Sequence, residues 1–170
     1  MPAERPPAAA AGAEPHADAD RARVAPAPGA ADESRPAYAV SAPFPVQLRF
    51  SDTDRLGHVN NAVYATYAEL GRLAFLRELG MTDQGLILAR LAIDFRRQVR
   101  LGDECSVVTR VVRVGRTSFT LEQTLTANGE VAAEFEAVLV CFDYASQRPV
   151  PVPDAFRRAL TGGAEAGARL

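Results

Sequence analysis

The strongest constraint on the fold is one long helical pattern, residues 61–79, that is apolar over a wide surface. Apolar residues recur there at spacings of three and four, the repeat of an α-helix. They form two adjacent stripes, one of Val63, Tyr67, Leu70 and Ala74 and the other of Tyr64, Ala68, Gly71 and Phe75. Because the stripes adjoin, the pattern predicts a well-buried helix. Asn60 or Asn61 can cap its start, and Gly80 can end it.

Strand patterns lie on both sides of this helix. Before it, residues 46–51 alternate apolar and polar side chains, which predicts a half-buried strand. Further strands are predicted after it, within residues 89–96, 106–114, 119–126 and 131–144. Asn128-Gly129 is typical of a two-residue hairpin turn between the last two. Prolines from Pro149 to Pro153 end regular pairing, and a short helix is predicted at 154–160. One helix against an antiparallel sheet is an α+β arrangement.

The first 37 residues differ in composition from the rest. Ala and Pro make up 21 of them, and none is aromatic. Such a segment cannot bury enough apolar surface to offset its ordering entropy. We therefore predict a disordered tail at 1–37, one compact domain at 38–160 and a flexible tail at 161–170. Because no apolar segment of the signal-peptide kind follows the start, a cytoplasmic location is expected.

Charge and cysteine content argue against several function classes. From residue 38 onward, acidic residues and arginines balance, which disfavours broad binding to nucleic acid or anionic membranes. No apolar run approaches the length of a membrane-spanning helix, so no membrane insertion is expected. Cys105 and Cys141 lie in strand-like runs without a motif spacing, so buried, reduced thiols are predicted.

Polar groups are concentrated in the connection between the first strand and the helix. Loops that carry several such groups between rigid elements are common sites of chemistry. The sequence there reads D-T-D-x-x-G-H-V-N-N-x-x-Y from Asp52 to Tyr64, and Y-x-E-x-x-R follows. This pattern resembles the active-site segment of hotdog-fold acyl-CoA thioesterases of the 4-hydroxybenzoyl-CoA thioesterase type. The resemblance covers roughly residues 44–144.

The resemblance implies the hotdog fold, in which an antiparallel sheet wraps around one long central helix. It also implies a homodimer or homotetramer whose active sites are each built between two subunits. An independent reason favours an oligomer, because a small sheet leaves strand edges open and pairing them across a two-fold axis covers them.

By resemblance, Asp54 is the catalytic carboxylate, acting as general base or nucleophile. Asn61 falls where the family offers a backbone N–H to the thioester oxygen, although its side chain could instead serve only as a helix cap. For His58, a catalytic or substrate-orienting role and a structural hydrogen bond both stay open. Gly57 is expected to adopt a positive φ or to let the ligand approach. Tyr64, the last residue of the motif, is expected to contact the substrate.

Three other residues of the pattern have plainer expectations. Asp52 is predicted to bond backbone N–H groups and so stabilise the loop. Glu69 could be a second catalytic carboxylate, as in another branch of hotdog thioesterases, but that branch has a different motif that this chain lacks. An ion pair of Glu69 with Arg72, three residues along the helix, is the favoured interpretation.

Coenzyme A requires cations for its phosphates. In the family, a basic cluster followed by Ser-Phe at the start of a strand contacts them, and here the matching residues are Arg113, Arg116 and Ser118. A second basic group comprises Arg96, Arg97 and Arg100. The alternative for both groups is a solvated face of the sheet.

The leading hypothesis is therefore an acyl-CoA thioesterase that releases the free acid and coenzyme A. No cofactor is expected, since coenzyme A is part of the substrate, and no metal site is predicted from one domain histidine without neighbouring ligands. The rivals are a hotdog-fold hydratase or dehydratase and a non-catalytic acyl-CoA-binding domain.

Overall fold

The computed structural model describes residues 38–81 and 85–162. In chain order the elements are β1 (Phe44–Val46), α1 (Asn61–Glu78), β2 (Leu86–Phe95), β3 (Cys105–Val114), β4 (Ser118–Ala127), β5 (Glu130–Asp143), β6 (Arg148–Pro149) and α2 (Asp154–Leu160). The predicted α+β class, the long helix, the strands after it and the short C-terminal helix are confirmed. The predicted tails lie outside the described residues, apart from Thr161 and Gly162.

The strands form one antiparallel sheet in the order β1-β3-β4-β5-β2, and β6 pairs with the end of β5. The predicted hairpin joins β4 to β5. Asn128 and Gly129 have φ values of 51° and 82° there, the left-handed conformation that tight hairpin turns need.

The predicted first strand was wrong over most of its length. β1 ends at Val46, and Phe50–Asp52 forms a single 3-10 turn that leaves Phe50 82% exposed. The reason is local hydrogen bonding, since the Asp52 carboxylate accepts the Arg49 backbone N–H at 2.9 Å. Such side-chain to backbone bonds compete with strand pairing. The part of the β3 edge that β1 does not reach is covered by the segment before β1, where the Ser41 N–H donates to the Thr109 carbonyl.

Helix α1 packs on one face of the sheet, mainly against β1, β3 and β4. It begins where the Asn60 side chain accepts the Ala62 backbone N–H at 2.9 Å, and Gly80 follows its end with φ 68°. Gly71 permits a close approach to the sheet, because a Cβ there would lie 2.5 Å from Val107 Cγ1. The Gln123 side chain fixes the helix nearby by donating to the Ala68 carbonyl at 2.8 Å.

The outer edge of β2 is the long open edge of the described sheet. Five residues of β2 face the helix side, opposite buried residues of β5, and their alternation shifts by one at the bulge between Leu88 and Arg90: Leu86, Leu88, Leu91, Ile93 and Phe95. Leu88 and Phe95 are still 44% and 48% exposed. The opposite face of this strand is charged, with Arg90 and Arg96 paired to glutamates of β5. No helix among the described residues has the length and apolar character needed to cross a membrane.

Candidate active site

The polar segment before α1 folds into a small hairpin, residues 52–60. Its paired positions are held by backbone bonds from Asn60 N–H to the Asp52 carbonyl and from Asp54 N–H to the His58 carbonyl, both 2.8 Å. Gly57 lies in the turn of this hairpin and has φ 77°, a backbone conformation that favours glycine. The positive φ considered for Gly57 is therefore present. The hairpin returns the chain to the start of α1.

Asp54 lies at the tip of this hairpin and is half-buried. Its Oδ1 atom accepts the backbone N–H groups of Leu56 at 2.8 Å and His58 at 3.3 Å. These two bonds fix the orientation of the carboxylate. Its Oδ2 atom forms no hydrogen bond with any described residue, so it can accept a proton or attack a carbon.

The first turn of α1 adjoins the hairpin. Asn60 supplies the cap, so a capping role for the Asn61 side chain is not needed. Within the described part of the chain, the Asn61 backbone N–H has no hydrogen-bond acceptor, as is usual in a first helical turn. A free donor at a helix start suits a partly negative oxygen.

Tyr64 and His58 complete the predicted set at this end. Tyr64 is 3% exposed, and its ring packs edge to face on Phe95 with centroids 5.0 Å apart. Burial raises the pKa of its hydroxyl, which therefore stays protonated. His58 is half-buried, its backbone bridges Arg100, and its ring forms no hydrogen bond with the residues described.

Asp52 and Tyr67 anchor the hairpin to the helix, a contact that the sequence patterns did not reveal. The Tyr67 hydroxyl donates to Asp52 Oδ2 at 2.9 Å, and both residues are buried. Burial by itself would raise the pKa of Asp52, but hydrogen bonds from the Arg49 backbone, Tyr67 and the Arg49 guanidinium outweigh it and lower that pKa. Asp52 is therefore held as a carboxylate.

The favoured pairing of Glu69 with Arg72 was wrong. Glu69 is exposed, Arg72 is 5% exposed, and the two do not form an ion pair. Arg72 turns into the protein, where burial lowers the pKa of its guanidinium. The spacing of Glu69 and Arg72 is compatible with an Arg72 side chain that points outward or inward. In the packed helix the side chain points inward.

Arg113, Arg116 and Ser118 lie together, but not near Asp54. They surround the turn after β3, which is closed by the Gly115 N–H donating to the Ser118 carbonyl at 2.7 Å. Arg157 of α2 supports this turn from the C-terminal side, donating to the Gly115 carbonyl at 2.8 Å. The sequence patterns gave no signal for Arg157, because its contact is made across 42 positions.

Ion pairing distinguishes the two basic groups. Arg113 and Arg116 are exposed and form no ion pair with any described carboxylate. In the second group, Arg96 and Arg97 are paired with Glu134 and Glu130, whereas the exposed Arg100 forms no ion pair with a described carboxylate. The turn after β3 is therefore the basic group in which every arginine is free of a described carboxylate.

The two halves of the predicted site lie at opposite ends of the sheet. The Asp54 hairpin adjoins Arg100, just before β3 begins, and Arg116 follows the far end of β3. A ten-residue strand is roughly 30 Å long. One chain therefore does not bring Asp54 and Arg116 together.

A family model places these residues in a wider context. The model described as the thioesterase-like superfamily matches residues 48–160, more than half of the chain. The chain belongs to this superfamily.

Relatives within the superfamily cover most of the domain. The chain is 31% identical to the acyl-CoA thioesterase YbgC of Haemophilus influenzae over 125 residues, which are 69% of this chain and 92% of that protein. It is 28% identical to the acyl-acyl carrier protein thioesterase ATL3 of Arabidopsis thaliana, over 66% of this chain and 63% of that protein. A thioesterase from Thermus thermophilus, solved with coenzyme A and Zn, superposes with a TM-score of 0.66 and 37% identity, covering 74% of this chain and 94% of that one.

These matches confirm the hotdog fold for this member of the superfamily. Other features of the surface do not enlarge the site. A groove of about 650 Å³ beside the start of β3 is lined by none of the predicted site residues. Among the described residues, no group of three or more His, Cys, Asp or Glu side chains could hold a metal ion.

Proposed function

We propose that this superfamily member hydrolyses acyl thioesters of coenzyme A to the free acid and coenzyme A. Asp54 acts as general base or nucleophile, and the Asn61 backbone N–H polarises the thioester carbonyl. The observation that carries the proposal is an oriented carboxylate beside a backbone donor at the adjacent helix start, where no described residue bonds either the second carboxylate oxygen or the Asn61 N–H. Removing one donor of this kind typically costs about 10²–10³ in rate.

Either role of Asp54 gives the same products. As a base, the carboxylate takes a proton from water while the water oxygen bonds to the carbonyl carbon. The carbon–sulfur bond then breaks, and the departing thiolate takes that proton back from Asp54, which regenerates the carboxylate. As a nucleophile, the free oxygen displaces the thiolate directly, and water hydrolyses the resulting anhydride. In both routes negative charge builds on the carbonyl oxygen, which the Asn61 N–H stabilises.

We further propose that each site is completed by a second subunit. Within one chain, roughly 30 Å of β3 lies between the end of the sheet that carries Asp54 and the end that carries Arg116, which is more than the length of an extended pantetheine arm. Asp54 and the arginines of one chain therefore cannot hold the two ends of one substrate. A partner subunit could hold the nucleotide end of the substrate with its own Arg113 and Arg116, at the turn after β3 that we call the arginine turn.

The open edge of β2 suggests how the partner is arranged. Two copies of one strand related by a two-fold axis run antiparallel. In β2, Phe95 lies at the end near Tyr64, whereas Leu86 lies at the end near the arginine turn. Pairing of two β2 edges would set the arginine turn of the partner at the Asp54 end. It would also cover the apolar side chains of Leu88 and Phe95.

Finer assignments belong to the same proposal. The pattern resembles the 4-hydroxybenzoyl-CoA group, and similarity to a plant acyl-carrier-protein thioesterase makes a carrier-protein donor the second candidate. The unpaired arginines at the turn after β3 favour coenzyme A, because they offer cations for its phosphates. The choice between dimer and tetramer and the cytoplasmic location stay predictions.

Thiol release is the direct test of the function. Wild-type protein would be assayed against aromatic, short-chain and long-chain acyl-CoA substrates and against an acyl-carrier-protein thioester. Steady-state release of thiol from coenzyme A substrates is expected. Water addition to an enoyl-CoA without thiol release would instead favour the hydratase alternative, and binding without turnover would favour the non-catalytic one.

Replacing Arg116 with alanine tests the phosphate site. Loss of a charge-assisted contact should lower kcat/KM for an acyl-CoA about 10- to 100-fold, chiefly through KM. A thioester of N-acetylcysteamine, which has no nucleotide, should be hydrolysed at nearly the wild-type rate. The measurement is a pair of steady-state titrations with the two substrates.

Arg158 provides a matched control for this substitution. It is an exposed arginine of α2 whose side chain contacts no described carboxylate. R158A should leave both substrates unaffected. Equal losses for both substrates in R116A, or the same loss in R158A, would contradict the assignment.

A further inference from the structure

Among the described residues, two hydrogen bonds between buried groups attach α1 to the rest of the domain. One is the bond from Tyr67 to Asp52, with the two residues 1% and 2% exposed. The other is the bond from Gln123 to the Ala68 carbonyl. Only the first has an ionised partner, and charge-assisted hydrogen bonds are the stronger kind.

Asp52 lies at the base of the hairpin that carries Asp54. Its carboxylate accepts the Arg49 backbone N–H and the Tyr67 hydroxyl, both at 2.9 Å. Its carbonyl accepts the Asn60 N–H across the hairpin. Asp52 therefore joins the incoming chain, the hairpin and the helix, two residues before Asp54.

Tyr67 also belongs to the same helix as the Asn61 N–H. Six residues separate them, which is about 9 Å along a rigid α-helix. The helix therefore carries the Asn61 N–H donor directly, and it holds the Asp54 carboxylate in place through Asp52. Any shift of the hairpin against α1 changes the distance between the carboxylate and the donor.

We infer that Tyr67 is a positioning residue, which sets Asp54 against the Asn61 N–H through its bond to Asp52. The inference rests on the proposed function for its effect on rate, but the position of the hairpin can be measured without turnover. Errors of about 1 Å in the placement of reacting groups can cost 10²-fold. Tyr67 does not need to touch the substrate for this effect.

The test is Tyr67→Phe, which removes the hydroxyl and keeps the buried ring. We expect kcat to fall about 10- to 100-fold with KM nearly unchanged. D52N, which keeps one acceptor oxygen for Tyr67, should retain more activity than Y67F. The double variant should be no worse than the poorer single variant, because both act through one contact.

Gln123→Met is the matched control. It removes the bond from Gln123 to α1, together with the bond from Gln123 to the Thr109 hydroxyl, with little change in side-chain volume. Among the described residues, Gln123 forms no hydrogen bond with the hairpin. Its thermal stability should fall by an amount similar to that of Y67F, while kcat stays near wild type. A kcat for Y67F within about twofold of wild type, or an equal fall in Q123M, would overturn the inference.

Amide hydrogen exchange separates this inference from the proposed function. The Leu56 and His58 N–H groups bond to Asp54, so Y67F should speed their exchange while amides in the centre of β4 keep their protection. Faster exchange at these sites in a protein without hydrolase activity would support the positioning role and refute the function. Unchanged exchange at these sites in a protein with hydrolase activity would refute the positioning role and support the proposed function.

Discussion

Asp54→Asn is expected to lower the turnover of acyl-CoA by about 10²-fold or more without unfolding the protein. Asparagine keeps an oxygen that can accept the Leu56 and His58 N–H groups, so the hairpin should retain its shape. Its side chain can neither take a proton from water nor attack a thioester. The loss should therefore appear in kcat, measured by thiol release at saturating substrate, with little change in the melting temperature.

Glu69→Gln is the informative control for this variant. Glu69 is the other carboxylate considered for catalysis, and it is exposed on α1 without an ion pair to Arg72. Its substitution should leave turnover unchanged. If E69Q were inactive and D54N active, catalysis would have been assigned to the wrong carboxylate.

Mixing two strongly impaired variants is expected to restore part of the activity. One parent is D54N, and the other is the double variant R113A/R116A. If each site takes its carboxylate from one subunit and its arginines from another, random assembly of equal amounts leaves about a quarter of the sites with both parts intact. The same fraction applies to dimers and tetramers. This fraction of intact sites is measured by co-refolding the two proteins and assaying hydrolysis of an acyl-CoA at low substrate concentration.

The alternative arrangement gives a different result. If each chain formed its own complete site, every site in the mixture would lack one part, and activity would stay at the mean of the two parents. Sedimentation equilibrium on the same samples establishes whether the chains associate. A fully active monomer would refute the shared site, because the two predicted halves lie at opposite ends of β3 in one chain.

Much of the site could be predicted because its signals are local. The 3.6-residue repeat of α1, the Asn128-Gly129 turn and the helix end at Gly80 each depend on a few neighbouring residues, and all three are present. Gly57 has the positive φ considered for it. The motif from Asp52 to Tyr64 led to the superfamily, which the family model confirms.

Local alternation misled the prediction at the first strand. Val46, Leu48 and Phe50 alternate with polar residues, yet the Asp52 carboxylate bonds the Arg49 N–H and turns the chain before Phe50 can pair. The spacing of Glu69 and Arg72 similarly allowed an ion pair that packing of the helix prevented. In both places, a competing interaction outweighed a weak periodic preference.

Local sequence patterns were enough to predict the long helix, the strands after it, the Asn128-Gly129 turn and the superfamily, because each depends on residues close together in the chain. Tertiary structure alone decided that Tyr67 bonds Asp52, that Arg157 supports the turn at Gly115, and that Asp54 and Arg116 lie at opposite ends of the sheet. The physical reason is that strand order and register are set by contacts between distant segments. Periodicity indicates which face of a strand is buried, but it carries no information about the end of the sheet at which a given turn will lie.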